Sequence, residues 1–345
     1  MFGRVVVAEF KRKHVVIDGD APKFAVASAG EKRTVHIVHR VTGDEYTTKT
    51  RTEWYGEWRK KQGGLLAELN SKLSEDKQMS PDDFDYTDIQ APEPLANVLH
   101  SAKVYMQALI NKCGAESYSV LVGKGDSWRV EASTLQKYKG QRASGMARPV
   151  LMDDVVDYFV RKFGAELVYD LEVDDRICID TYGKSGHFAA CLEKDAYSTS
   201  MYFLDTTKPE LGIQNGNQFG ELHLNSKGEV KGIGRMHLIF QACSLDTSDN
   251  YAANVFSDVR WGAKSAYTAL KDCKNDKELF QAAMNVFKHL YPEKKVVEGW
   301  RGNQIEIDSL YVFQECFTLA RMLRKAEGDT VNLIDVFEKL GVDYG

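Results

Sequence analysis

The sequence lacks the features that mark several common protein classes. No apolar run approaches the ~18 to 20 residues that a membrane span needs, and the first residues show no signal-peptide pattern, so the expectation is a cytoplasmic protein with no membrane partner. CxxC spacing is absent. The six cysteines, Cys113, Cys178, Cys191, Cys243, Cys273 and Cys316, are scattered through apolar segments and read as reduced core thiols, not as zinc ligands or a disulfide framework. None of the eight histidines, His14, His36, His39 and His187 among them, stands in an HExxH or HxH pattern, and there is no GxSxG elbow. Zinc hydrolysis and a serine triad are therefore unsupported. Internal repeats and low-complexity tracts are missing too.

What is present is the composition of a folded protein. The 345 residues, 43% hydrophobic and 28% charged, suit one large or two moderate domains. A formal net charge of -5 speaks against a nucleic-acid partner only if the charges are evenly spread, and they are not. Residues 124–148, KGDSWRVEASTLQKYKGQRASGMAR, hold Lys124, Arg129, Lys137, Lys139, Arg142 and Arg148 against Asp126 and Glu131, with Trp128 and Tyr138 interleaved. That composition suits phosphates and stacking on bases. Acidic residues gather in four clusters: Asp18 and Asp20 in VVIDGD; Glu172, Asp174 and Asp175 in LEVDD; Glu193 and Asp195 in LEKD; Asp246 and Asp249 in SLDTSDN. Bound divalent cations would relieve their mutual repulsion and cancel part of the net charge.

The pattern of apolar residues places these clusters. KHVVI predicts a buried strand ending at Asp18, and TVHIVHRV with YTTKTRTEW predicts a β-hairpin across the turn TGDE. Residues 65–90 are polar, with a short helix start at Ser80–Pro81. Helices are expected over about 93–113, 152–163, 172–182, 235–244, 277–290 and 307–323, and strands at SYSVLVG, AELVYD and HFAACL; residues 211–234 read as a loop or hairpin. Each cluster then follows a strand or opens a helix, so in an α/β fold all four converge on the carboxyl edge of one parallel sheet.

Each cluster also has a simpler reading. Asp and Gly are common where strands turn, acids favour helix N-termini, two acids one residue apart are a frequent surface pattern, and Asp246 and Asp249 suit a capped turn. The order of the clusters, their strand-end placement and the basic stretch between the first and second make the set specific.

The series VVIDGD, WRVEASTLQKYKGQR, GAELVYDLEVDD, LEKD and QACSLDTSDN resembles the 5′ nuclease superfamily of flap endonucleases and 5′ to 3′ exonucleases, particularly those of bacteriophages, from about Val15 to Leu270. The resemblance implies an α/β, PIN-like 5′ nuclease fold. Its parts would be a central, mostly parallel sheet flanked by helices, a helical arch and a helix-hairpin-helix element. The corresponding division is a nuclease core over residues 1–230, with a β-hairpin insertion at about 30–90 and the arch at about 124–163, and a helical region over 231–345. The implied activity is hydrolysis of DNA phosphodiester bonds at 5′ ends or flaps, in phage replication or DNA degradation, by a monomer in the host cytoplasm; RNA in hybrids is left open as a substrate. Two Mg²⁺ or Mn²⁺ ions would be held by Asp18, Glu172, Asp174, Asp175, Glu193, Asp195, Asp246 and Asp249. Asp18, Asp174, Lys139 and Arg142 would be catalytic, the last two holding the scissile phosphate. Arg129, Lys137, Tyr138, Arg148 and Lys264 would bind DNA, Tyr138 by stacking on a terminal base.

The chain departs from that pattern at Val122, where the family often has an Asp, at Glu193 for Asp, at Leu245 for Gly, and in a glycine-poor hairpin that keeps Gly262 and Lys264. Two other readings stay open. One is a haloacid-dehalogenase-like phosphatase with Asp18 as nucleophile and Asp20 as general acid. The other is an inactive nuclease-fold protein that binds DNA. Residues 30–90, with Trp54, Trp58, Arg59, Lys60 and Lys61, read either as an extension of a DNA platform or as a solvated hairpin.

Overall fold

The computed structural model describes residues 10–57, 62–141, 147–191, 196–199 and 202–345. It divides into two compact units. The first holds residues 1–22, 106–147 and 158–345, so the helices beyond residue 230 share a unit with the sheet; the second holds 23–105 and 148–157.

From the N-terminus come β1 (His14–Asp18), α1 (Asp20–Ala29), β2 (Glu31–His39), β3 (Glu45–Thr48), α2 (Arg51–Tyr55), β4 (Gly56–Glu57), β5 (Gln62–Gly63), α3 (Leu65–Asn70), β6 (Phe84–Pro92) and α4 (Leu95–Cys113). The middle of the chain forms β7 (Ser117–Gly123), α5 (Trp128–Ala132), α6 (Met152–Phe163), β8 (Glu166–Val168), α7 (Val173–Thr181), β9 (His187–Cys191), α8 (Ala196–Thr199), β10 (Phe203–Asp205) and β11 (Ile213–Gln214). The last third forms β12 (Glu221–Leu224), β13 (Val230–Ile233), α9 (Gly234–Ala242), β14 (Leu245–Asp246), β15 (Tyr251–Ala252), α10 (Ala263–Leu270), α11 (Asp276–Leu290), β16 (Lys295–Glu298), β17 (Gln304–Ile307), α12 (Ser309–Ala320) and α13 (Leu333–Leu340).

Among the described residues, the first unit is built on a six-stranded sheet in the order β11-β10-β9-β1-β7-β8, parallel except where β11 runs against β10. The fold is thus α/β with a mostly parallel central sheet flanked by helices. Strand β1 is central because its residues 15–18 are buried on both faces, as parallel strands covered by helices must be. Helix α7 covers one face, packing Val173 and Ile177 on Val16, Leu121, Ala189, Cys191 and Phe203. A second core joins α9 to α13, where Phe287 stacks on Phe313 at 4.6 Å and Phe313 meets Phe337. Among the described residues no helix is long and apolar enough to cross a membrane. All six cysteines are free thiols, and only Cys273 is not fully buried.

The second unit carries a three-stranded antiparallel sheet, β3-β2-β6. The expected hairpin is β2–β3, but the polar stretch after residue 80 also supplies a strand: β6 pairs with β2 from Glu31↔Pro92 to His39↔Phe84. Its alternation was hidden because its outward face is polar; only Phe84 is fully buried. Trp54 is not on a surface. It fills the small core with Val35, Ile37, Leu66 and Phe84, and its indole N–H donates to the Tyr86 hydroxyl at 3.1 Å. Trp58, Arg59, Lys60 and Lys61 lie outside the described residues.

In this unit the side chain of Glu31 is 1% exposed and accepts from Arg33 Nε at 2.5 Å, Gln90 Nε2 at 3.1 Å and the Val150 N–H at 2.9 Å. Burial pushes its pKa up, but those donors win and hold the carboxyl below its ordinary value. A depressed carboxylate stabilises the fold above its unfolded pKa, about 4.3, and that contribution fades as pH falls through the folded value. Glu31→Gln is therefore expected to lower the denaturation midpoint at pH 7, with the gap to wild type closing in acid. A gap independent of pH in urea titrations would show that the charge contributes nothing.

Candidate active site at the carboxyl edge of the sheet

Strand register brings the first acids together. Asp18 pairs with Leu121 and lies one residue beyond the Ile17↔Ala190 pair, while Asp205 pairs with Cys191. Asp18, Cys191 and Asp205 are thus level across β1, β9 and β10, and level residues of parallel neighbours point to the same face. That face is the one α7 covers, and Asp174 sits in the first turn of α7. Burial pushes the Cys191 thiol well above its ordinary pKa, and the nearby carboxylates of Asp174, Asp18 and Asp205 push it further. Asp205 had no signal in the sequence beyond the short apolar run MYFL before it. Its carboxylate takes hydrogen bonds from Tyr197, Thr207 Oγ1 and Thr207 N.

The two aspartates of IDGD divide their work. Asp18 Oδ1 accepts the Asp20 N–H at 2.7 Å, which shapes the turn into α1. Asp20 Oδ1 accepts the Gly123 N–H at 2.8 Å, tying that turn to the end of β7. A Cβ on Gly123 would stand 2.8 Å from Asp20 Oδ2, so a larger residue there would displace that carboxylate.

Glu172 stands just before α7, and its carboxylate gathers three donors. Lys139 Nζ pairs with its Oε1, while Tyr138 OH at 3.2 Å and Arg129 Nη1 at 3.4 Å reach Oε2. The Lys139 ammonium also lies 3.8 Å from Asp249 Oδ1, and its backbone N–H donates to the Asp249 carbonyl at 2.9 Å. Lys139 has φ 54°, a left-handed conformation that turns the chain back towards this carboxylate pair. Asp246 Oδ1 accepts the N–H groups of Ser248 and Asp249, so this acid caps its own turn, and Gln141 Nε2 donates to the carbonyls of Thr247 and Ser248. The loop 137–141 and the turn 246–250 are thereby bound to one another at the edge of the sheet.

Three sequence expectations meet a different geometry. Arg129 was expected on DNA, but it is fully buried, its guanidinium paired with both oxygens of Asp175 at 2.5 and 2.9 Å and donating to the carbonyls of Leu319 and Arg321. Burial works against the charged guanidinium, yet Asp175 and Glu172 overcome it and raise its pKa. Asp175, expected as a metal ligand, is also fully buried and accepts further from Trp128 Nε1 and the Leu323 N–H, so its oxygens are spent inside the protein. Tyr138 was expected to stack on a base, but its ring is 1% exposed within the core, and the hydroxyl reaches Glu172 because a buried phenol needs a partner.

Of the other basic residues, Lys137 is exposed, with Nζ 5.5 Å from the Trp300 ring centroid, and Lys264 is exposed on the first turn of α10. Arg148 belongs to the second unit, where it pairs with Asp153 at 2.6 Å. Arg142, Glu193 and Asp195 lie outside the described residues.

Among the described residues no group of three or more carboxylate, His or Cys side chains stands close enough to hold a metal ion. Asp18 and Asp174 offer hard oxygen donors on one face, and the Cys191 thiol beside them is held protonated by burial and by those acids. Hard oxygen donors of this kind suit divalent cations that prefer oxygen ligands.

No protein-family model matches the sequence, and no curated protein matches it. Solved structures similar to it include two of the T5 D15 protein. One is the T5 D15 protein co-crystallised with metal ions, at 16% identity and a TM-score of 0.35, covering 56% of this chain and 80% of that one. The other is the bacteriophage T5 D15 flap endonuclease in a pseudo-enzyme–product complex with DNA and metal ions, at 13% identity and a TM-score of 0.34, covering 64% and 90%. At such levels a functional reading has to stand on the side chains of this chain.

The buried pair sets a stability prediction. Arg129→Leu leaves Asp175 charged and buried and is expected to cost about 3–5 kcal/mol. Adding Asp175→Leu should recover only part, because Trp128 and Leu323 also lose an acceptor. Urea unfolding of the single and double variants checks this; a near-neutral Arg129→Leu would contradict it.

Proposed function

We propose that this chain is a divalent-metal-dependent 5′ nuclease that hydrolyses DNA phosphodiester bonds at 5′ ends or flaps. The observation that supports it most is the placement of Asp18 and Asp174 on one face of the sheet's carboxyl edge, next to a basic loop whose Lys139 meets Glu172 and Asp249 there. Two ions about 3.5–4 Å apart would supply a water of lowered pKa and charge compensation on the leaving 3′ oxygen. Asp18 and Asp174, with Glu193 and Asp195, are the residues proposed to hold them. Lys139 would turn its ammonium from Glu172 to a phosphate oxygen, while Arg142, Lys137 and Lys264 would neutralise phosphates along the strand. Arg129 and Tyr138 keep structural duties: they brace Glu172 and the start of α7 from within.

The phosphatase reading is weaker in this geometry. A general acid must present its carboxyl to a leaving group, and Asp20 spends an oxygen on the Gly123 N–H. A DNA-binding protein without activity is separated from the nuclease by one experiment. A 5′-labelled flap and a blunt duplex are incubated with wild type and with Asp174→Asn in Mg²⁺ and in Mn²⁺. Short 5′ products that require metal and fall by about 10²-fold or more in the variant are expected. Binding of both substrates without cleavage would overturn the nuclease reading and leave a DNA-binding scaffold.

A further inference from the structure

The last third of the chain reaches back to the basic loop. Glu315 on α12 accepts the N–H groups of Thr134 at 3.0 Å and Leu135 at 2.9 Å through Oε1, and the Thr134 hydroxyl through Oε2. Tyr311, one turn earlier, brings its hydroxyl within 2.9 Å of Thr134 Oγ1. From the other side comes the tip of the β16–β17 hairpin. Trp300 Nε1 and Arg301 Nη1 donate to the Ser133 carbonyl at 2.8 and 2.7 Å, Arg301 Nη2 donates to the Val130 carbonyl at 2.7 Å, and the Trp300 N–H donates to the Thr134 carbonyl at 3.2 Å. A Cβ on Gly299 would lie 2.7 Å from that same Thr134 carbonyl, so the close approach depends on glycine. The Arg301 guanidinium carbon lies over the Trp300 ring, 4.2 Å from its centroid, which steadies the fork.

These contacts end where the loop begins. Ser133 Oγ in turn accepts the Tyr138 N–H at 3.2 Å, closing the loop on its own stem, and the next residue is Lys139. Glu315, Trp300 and Arg301, which hold main-chain polar groups of residues 133–135, are not among the residues proposed to bind metal or phosphate, although Lys137 lies 5.5 Å from the Trp300 ring centroid. A carboxylate withdrawn from most of the solvent is costly: burial raises the pKa of Glu315 against the pull of Thr134, Leu135 and Arg301. Plain packing needs no such group.

We propose that Glu315 is a positioning residue, which with Trp300 and Arg301 clamps the stem 130–135 and acts on phosphodiester cleavage only through the placement of Lys139. The part played in cleavage rests on the nuclease reading; the clamp itself does not.

The test uses the full chain with Glu315→Ala, Glu315→Gln and Arg301→Ala. Without DNA, hydrogen exchange at the Thr134 and Leu135 amides and acetylation of Lys139 are followed by mass spectrometry. Both are expected to speed up about tenfold or more in Glu315→Ala and by a smaller factor in Arg301→Ala, while Glu315→Gln, which keeps an acceptor oxygen, stays within about threefold of wild type. With flap DNA, kcat of Glu315→Ala is expected to drop about tenfold or more at a KM changed by less than about threefold, and Glu315→Ala with Lys139→Ala should be no slower than Lys139→Ala alone. Unchanged exchange and acetylation overturn the clamp, and losses that multiply in the double variant overturn action through Lys139. Should Glu315→Ala fail to fold, the exposed Arg301→Ala decides by the same readouts. A wild type that cuts no DNA removes the nuclease reading, whereas exchange and acetylation still decide the clamp.

Discussion

A guanidinium sealed from water sets the geometry of the candidate site. Arg129 on α5 faces Asp175 on α7 and the carbonyls that end α12, so three segments far apart in sequence are held at one point. Two charges taken out of water repay their desolvation only when hydrogen bonds satisfy both groups, and here they do: the Arg129 donors go to carboxylates and carbonyls, and Asp175 gathers two more N–H groups. Helix α7 can therefore start in one place only, which places Glu172 and Asp174 over the sheet. The basic loop follows from the same anchor, because α5 feeds directly into it.

That arrangement separates two kinds of carboxylate within four residues. Asp175 faces inward and is consumed by the scaffold; Asp174 stands a residue earlier on the helix and keeps partial exposure. Glu172 lies between these extremes, held by a lysine, a tyrosine and an arginine. Side chains of the same chemistry thus differ in availability by helical phase alone.

The architecture was legible where apolar spacing is strong. Residues 152–163 form the expected helix, and β1, β7 and β9 end where their valine- and alanine-rich runs end. Short or polar elements escaped: β10 has three residues, too few for a period, and β6 alternates with a solvated face. For the candidate site, Asp18, Asp174 and Lys139 drew attention in the sequence because a strand end, a helix start and a basic run carry them. The burial of Arg129, Asp175 and Tyr138 could not, since an arginine in a basic stretch looks the same whether it faces a phosphate or a buried acid. Glu315 and Arg301 were invisible for another reason: their partners are main-chain groups, which have no signature in side-chain chemistry.

The second unit interrupts the chain between two strands that lie side by side. His14 on β1 bonds to Ser117 on β7 across 103 positions, and the whole stretch from β2 to α4 is spelled out in that interval. Long closures of this kind slow folding more than they weaken the finished structure. The interrupting unit is made of an antiparallel ladder between near neighbours, with its own buried tryptophan, so its contacts are cheap to form early. Once it has collapsed, the tether between β1 and β7 is no longer a random coil of that length. Early closure of the insertion would therefore shorten the loop that β1–β7 pairing must close, so a lesion in the small core around Trp54 is expected to slow the joining of these two strands.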